Sequence, residues 1–255
     1  MKYIYFAIAI LCSTAAFAQD TKETTTVVRK TMTMSGAEAN RMFSNVTDKK
    51  IYQRDGTIVD SVKAAAMVKS FEYGLGYATP EGQTEMKRVL MKINPKHELE
   101  LYQRIKTDTR MQLKSAKLQD GLTLDLKPLA KSVDTTKLAG KAIIMIFWCP
   151  GCYNGSRHDE YHEINDIIST YYNPDKLQVI AITNSPFDVA ADELKKSPIL
   201  NARNVFEGSH VTDDYQTENR PVIIMTDKAH KILFSVKNNT GVTNWMLNKL
   251  LKENM

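Results

Sequence analysis

The sequence predicts an α/β chain, a central mixed sheet flanked by helices over residues 116–255, preceded by an N-terminal helical module over residues 36–115. Three observations carry that reading. Residues 142–147 and 177–183 are continuous apolar runs, rich in β-branched side chains and too short for helices, so both read as buried strands. Between them Tyr161, Ile164, Ile168 and Tyr171 recur three or four residues apart, with Asp159, Glu160, Glu163 and Asp166 interspersed, as on one helix. Strand, helix and strand at this spacing make a βαβ unit with a right-handed crossover. Thirdly, Pro221 opens the apolar run 222–226, the turn residues 227–231 follow, and 232–236 returns as an antiparallel strand.

The chain has 255 residues, 43% of them apolar and 25% charged, enough for one good core and an appendage. Its net charge of +5 is scattered among acids rather than gathered into the basic stripe that nucleic-acid binding needs, so that class is set aside. Residues 1–18 read as a secretory signal peptide: Lys2 supplies the positive region, 3–11 an apolar stretch too short to span a bilayer, and Ala16-Phe17-Ala18 a small-x-small cleavage site. Cleavage is expected after Ala18, leaving an exported or periplasmic chain with no stable membrane insertion. An uncleaved anchor is the alternative. A lipid anchor on Cys12 fits poorly, because Leu11 stands where a small residue is wanted.

Residues 19–35 are Thr-rich and polar and are expected to form a disordered or loosely extended leader, with Val27-Val28 too weak a pattern for a strand. In 36–115, Asp60 or Ser61 caps an Ala-rich helix from Val62, and Gly74, Gly76, Pro80 and Gly82 break it. Met86, Val89, Leu90 and Ile93 fit a helical face stopped by Asn94-Pro95, and Leu99, Tyr102 and Ile105 another. No residue pattern in this module carries chemistry. Residues 122–126 alternate at period two and read as a strand. Beyond the βαβ unit, 187–196 reads as a helix, 203–206 as a short edge strand and 242–251 as a closing amphipathic helix.

Cleavage of the leader removes Cys12 and leaves Cys149 and Cys152, two residues apart where a strand feeds a helix. A disulfide closing so small a loop adds little stability, so a redox pair is the better reading than a staple. The thiolate is the attacking species, and a helix N-terminus favours it through its dipole and free N–H groups. Cys149 is expected to attack and Cys152, one turn into the helix, to resolve the mixed disulfide, with Pro150 at an early helical position. Cys149, Cys152, His158 and His162 also have metal-ligand flavour for zinc or copper. A regular helix, however, carries His158 about 9 Å along its axis from the cysteines.

The segment Lys137-Leu138-Ala139-Gly140-Lys141, the strand behind it and Phe147-Trp148-Cys149-Pro150-Gly151-Cys152 resemble the thioredoxin fold, in particular its TlpA-like and ResA-like periplasmic thiol–disulfide oxidoreductases. The Pro-led strand about seventy residues later strengthens the likeness, which covers roughly half the chain. The resemblance implies exchange with protein thiols and disulfides, no cofactor, and a membrane-linked electron donor or acceptor. It implies that Pro221 is cis and lies against the cysteine pair, that Arg220 offers its backbone to an extended substrate, and that Trp148 helps shape the groove. A non-catalytic binding domain on the same fold is the other class, against which the intact cysteine pair argues.

The chain departs from that family in several places. Trp148 adjoins Cys149 directly, the central dipeptide is Pro-Gly, strand 142–147 lacks an acid, and Gly155 stands where a glutamate is common. Arg220 replaces a small or β-branched residue; near Cys149 its charge would lower the thiol pKa, whereas on a solvated loop it would do nothing.

Overall fold

A computed structural model describes residues 48–151, 160–217, 221–237 and 240–255. The proposed leader, Cys12, Cys152, His158 and Arg220 lie outside the described residues. In chain order the elements are β1 Ile51–Tyr52, β2 Ile58–Val59, α1 Ser61–Lys69, β3 Tyr73–Ala78, β4 Lys87–Lys92 and α2 Pro95–Thr107. Two short 3-10 turns, Lys127–Leu129 and Thr135–Leu138, lead to β5 Ala142–Phe147. There follow α3 Glu160–Tyr171, β6 Leu177–Ile182, α4 Phe187–Lys196, β7 Ala202–Val205, α5 Ser209–Tyr215, β8 Val222–Thr226, β9 Ile232–Lys237 and α6 Gly241–Asn254.

The larger sheet has the order β7-β6-β5-β8-β9. β5, β6 and β7 run parallel, whereas β8 is antiparallel to both β5 and β9. All six residues of the central strand β5 are buried, because both of its faces are covered. Ile144, Ile146 and Trp148 face one layer, with Tyr161, Ile164 and Ile168 of α3 and Leu247 and Leu251 of α6. Ile143, Met145 and Phe147 face the other, with Leu118, Leu129, Val211 and Tyr215. Strand order, strand directions and a closing ββα make this a thioredoxin-like α/β fold.

The segment expected to be a helical module is instead α/β. β2-β1-β4-β3 form a second sheet, with β3 and β4 in a six-pair antiparallel register and β1 parallel to β4. Apolar residues at 86, 89, 90 and 93 fit a helix period, but so short a run also fits a strand, and pairing with β3 decides it. Gly74 and Gly76, expected to break the chain, lie inside β3. A Cβ on Gly76 would run into the Met91 methyl across the ladder, so the glycine admits a large neighbour. Asn94-Pro95 starts a helix rather than stopping one: the Asn94 side chain accepts from Lys96 N–H at 3.1 Å, and Pro95 takes the first turn, where no donor is needed. Residues 122–126 form only an isolated bridge, Thr123 with Lys231, beside the β8–β9 turn.

Helix α2 joins the larger core. Tyr102 stacks on Phe234 with ring centroids 5.8 Å apart. Lys106 Nζ donates to the Ser235 carbonyl at 2.6 Å and to Asp120 Oδ1 at 3.0 Å. Lys69 at the end of α1 forms an ion pair with Asp166 of α3 at 3.0 Å.

Candidate functional site

The carboxyl ends of parallel strands are where open α/β sheets place their sites, and Cys149 lies there. β5 ends at Phe147, which pairs with Ile182 of β6 and Val222 of β8. The Trp148 N–H donates to the Ile182 carbonyl at 2.9 Å, extending the hold on the chain by one residue. Cys149 follows, half-buried, and is disulfide-bonded. Its partner lies outside the described residues, as do the other two cysteines of the chain.

Pro150 and Gly151 form a turn, not the first turn of a helix as expected for Pro150. Gly151 has φ +70° and is exposed. That left-handed conformation takes the chain out of the right-handed helical path and suits glycine, which lacks the Cβ that would clash. The described part of α3 begins at Glu160, so any influence of its N-terminus on Cys149 crosses the undescribed residues between them.

Trp148 is 4% exposed and packs in the layer of Tyr161 and Ile164. It directly precedes Cys149, and among the described residues its indole N–H has no hydrogen-bond partner. Pro221 is buried and directly precedes Val222, the residue opposite Phe147. The structure therefore brings Cys149, Trp148 and Pro221 to one end of the sheet. Among the described residues no peptide bond is cis; the bond between Arg220 and Pro221 includes an undescribed residue.

His162 is described. It lies on the surface of α3 with 73% of its side chain exposed, and its Nδ1 is 3.5 Å from Asp166 Oδ2. Among the described residues no group of three or more His, Cys, Asp or Glu side chains is placed to hold a metal.

Three features at this end escaped the sequence reading. Gly208 lets α5 approach β6 closely: its N–H donates to the Thr183 carbonyl at 2.8 Å, and an added Cβ would lie 2.9 Å from Ile182 Cγ2. Tyr215 packs edge-on to Phe147, ring centroids 6.2 Å apart, and its hydroxyl donates to the Asp125 carbonyl. Burial raises the Tyr215 phenol pKa well above its ordinary value, keeping the ring neutral. Lys237 ends β9 opposite Val222 and is only 6% exposed. A lysine closing a strand ordinarily reads as solvated, and nothing local marks this one as buried.

No protein-family model matches the chain, and no curated protein matches it. Among solved structures it is similar to the C-terminal domain of a protein named as a thiol–disulfide oxidoreductase from Bacteroides thetaiotaomicron, at 17% identity and a TM-score of 0.44, over 54% of this chain and 99% of that one. It is similar to the thioredoxin domain of a thiol–disulfide oxidoreductase from Bacteroides vulgatus, at 14% identity and a TM-score of 0.38, over 46% of this chain and 83% of that one. A thiol–disulfide oxidoreductase from Bacteroides fragilis is similar at 14% identity and a TM-score of 0.38, over 47% of this chain and 87% of that one.

Proposed function

We propose that the chain is a thiol–disulfide oxidoreductase acting on protein thiols and disulfides through Cys149 and Cys152. The observation that carries the reading is the disulfide state of a half-buried Cys149 at the carboxyl end of the central strand, at the same end of the sheet as Pro221. A thiolate of Cys149 attacks a substrate disulfide, and one substrate sulfur leaves. Cys152 then attacks Cys149 and releases the second substrate sulfur, so one disulfide breaks in the substrate and one forms in the chain. Trp148 backs the turn, while Pro221 and Arg220 line the approach for an extended substrate backbone. The leader pattern in residues 1–18 supports export to an oxidising compartment, where a membrane-linked donor or acceptor would reset the pair.

Insulin reduction tests the proposal. The chain is expected to accelerate insulin precipitation by dithiothreitol, and Cys149→Ser to return the rate to background. A wild-type rate equal to that of the variant overturns it.

A further inference from the structure

The smaller sheet ends on β3, whose far side pairs with no strand among the described residues. Its register with β4 fixes which backbone groups face outward. The Ile93 N–H donates to the Glu72 carbonyl at 2.8 Å, and these two residues continue that register as an opposed pair. Hydrogen-bonded pairs alternate along an antiparallel ladder. Gly74, Gly76 and Ala78 therefore bond inward to β4, and Tyr73, Leu75 and Tyr77 turn their N–H and carbonyl groups outward.

An open edge is a template for another strand, and proteins blunt it by short length, charge, proline, a bulge or a cover. The other edges of this chain are blunted. β2 has 2 residues, and β7 has 4 and carries Arg203. On β9 the Ile232 carbonyl accepts from Gly121 N–H at 2.7 Å, and the Ser235 carbonyl from Lys106 Nζ at 2.6 Å. β3 has 6 residues with no charge, no proline and no shift of register. Leu75 is 43% exposed and Tyr77 45%.

The run Tyr73-Gly74-Leu75-Gly76-Tyr77 reads the same in both directions about Leu75. That symmetry fits a second copy of the chain. A two-fold axis at Leu75 sets Leu75 opposite its own copy, Tyr73 opposite Tyr77 and Gly74 opposite Gly76. The outward backbone groups then meet in register, and the aromatic and aliphatic side chains pair on one face. The opposed glycines leave the other face flat, and no like charges meet. We infer that β3 is the interface of a two-fold dimer, in which the smaller sheets of two copies join antiparallel about Leu75 into one sheet. Tyr77 has an interaction within its own chain, so the pairing depends on its centre, Leu75 between two glycines. The inference does not depend on the exchange reading above.

Sedimentation equilibrium of the full chain tests it, in dithiothreitol so that no intermolecular disulfide contributes. The chain is expected to run from monomer at about 1 μM to mostly dimer at about 1 mM, the weak range for so small an interface. Leu75→Lys sets two ammonium groups opposite each other across the axis and is expected to stay monomeric throughout. Val189→Lys, at a residue 54% exposed on α4, is expected to dimerise as wild type does. Amide exchange of the wild-type chain reads the same contact without a variant. Protection of the Leu75 N–H should rise with concentration, while Gly74 and Gly76, bonded to β4, keep the protection of the monomer. A wild-type chain still monomeric at about 1 mM, a mass beyond the dimer, a dimer that Leu75→Lys leaves intact, or Leu75 exchange independent of concentration overturns the inference.

Discussion

Gly208 is the most exacting test of how the site end is packed. In Gly208→Ala the new Cβ meets Ile182 Cγ2 at 2.9 Å, the Thr183 carbonyl oxygen at 3.3 Å and Val205 Cγ1 at 3.5 Å. The backbone itself permits alanine, since φ is −81°. Two effects compete. Alanine restricts the unfolded chain and stabilises by about 0.4–1 kcal/mol wherever its conformation is allowed. Overpacking a closed core costs about 1–3 kcal/mol. Here the neighbours have little room to yield. Ile182 is fully buried and stiff at its β-branch, and the Thr183 carbonyl is the acceptor that holds residue 208 in place. Overpacking wins, and a net loss of about 1–2 kcal/mol is expected.

The same substitution at Gly76 should behave differently. There the clashing atom is the end of the Met91 side chain, flexible and half-buried. Gly76→Ala is expected to lie between neutral and a gain of about 1 kcal/mol. Urea unfolding followed by the fluorescence of the buried Trp148 and Trp245 measures both, provided the m-values agree. Gly208→Ala as stable as wild type, or Gly76→Ala the more damaging of the two, would refute the reasoning.

Thr240 and Thr243 form a reciprocal cap at the start of α6: Thr240 N–H donates to Thr243 Oγ1 at 2.7 Å, and Thr243 N–H to Thr240 Oγ1 at 3.2 Å. Thr240→Ala is expected to cost about 1 kcal/mol in the same urea assay. Tyr102 and Tyr215 set an alkaline limit. Burial is the main cause raising both phenol pKa values above the ordinary 10.0, and the Asp120 charge adds to it at Tyr102. The folded chain keeps both protons at a pH where the unfolded chain loses them. This contribution is whole below pH 10 and is lost as the pH rises further. The urea midpoint should fall above pH 10, and fall less in the Tyr102→Phe, Tyr215→Phe double variant.

The inner strands of the larger sheet were legible because they are buried on both faces. Runs such as Ala142–Phe147 and Leu177–Ile182 need no particular partner to be recognised; hydrophobicity and β-branching suffice. The helix Phe187–Lys196 and the turn between β8 and β9 were legible for a similar local reason, since proline, serine and aspartate punctuate them. The cysteine spacing was legible too, being covalent chemistry written in the order of the chain.

What stayed hidden depends on residues far apart in sequence. β3 is half-buried and holds two glycines, and β4 is too short and only partly buried for one period to dominate, so their mutual ladder is what makes them strands. α5 spans only seven residues, and its start depends on the close fit of Gly208 against β6. The turn at Gly151 turned on one backbone angle that Pro-Gly permits but does not impose. The burial of Lys237 depended on a β-pairing with Val222 that no local pattern around residue 237 specifies. Local chemistry thus named the elements and the sulfur atoms, because hydrophobic period and covalent spacing are properties of neighbours. Which residues meet at the carboxyl end of β5, and which charges are denied water there, was decided by long-range strand pairing, which is a property of the folded sheet alone.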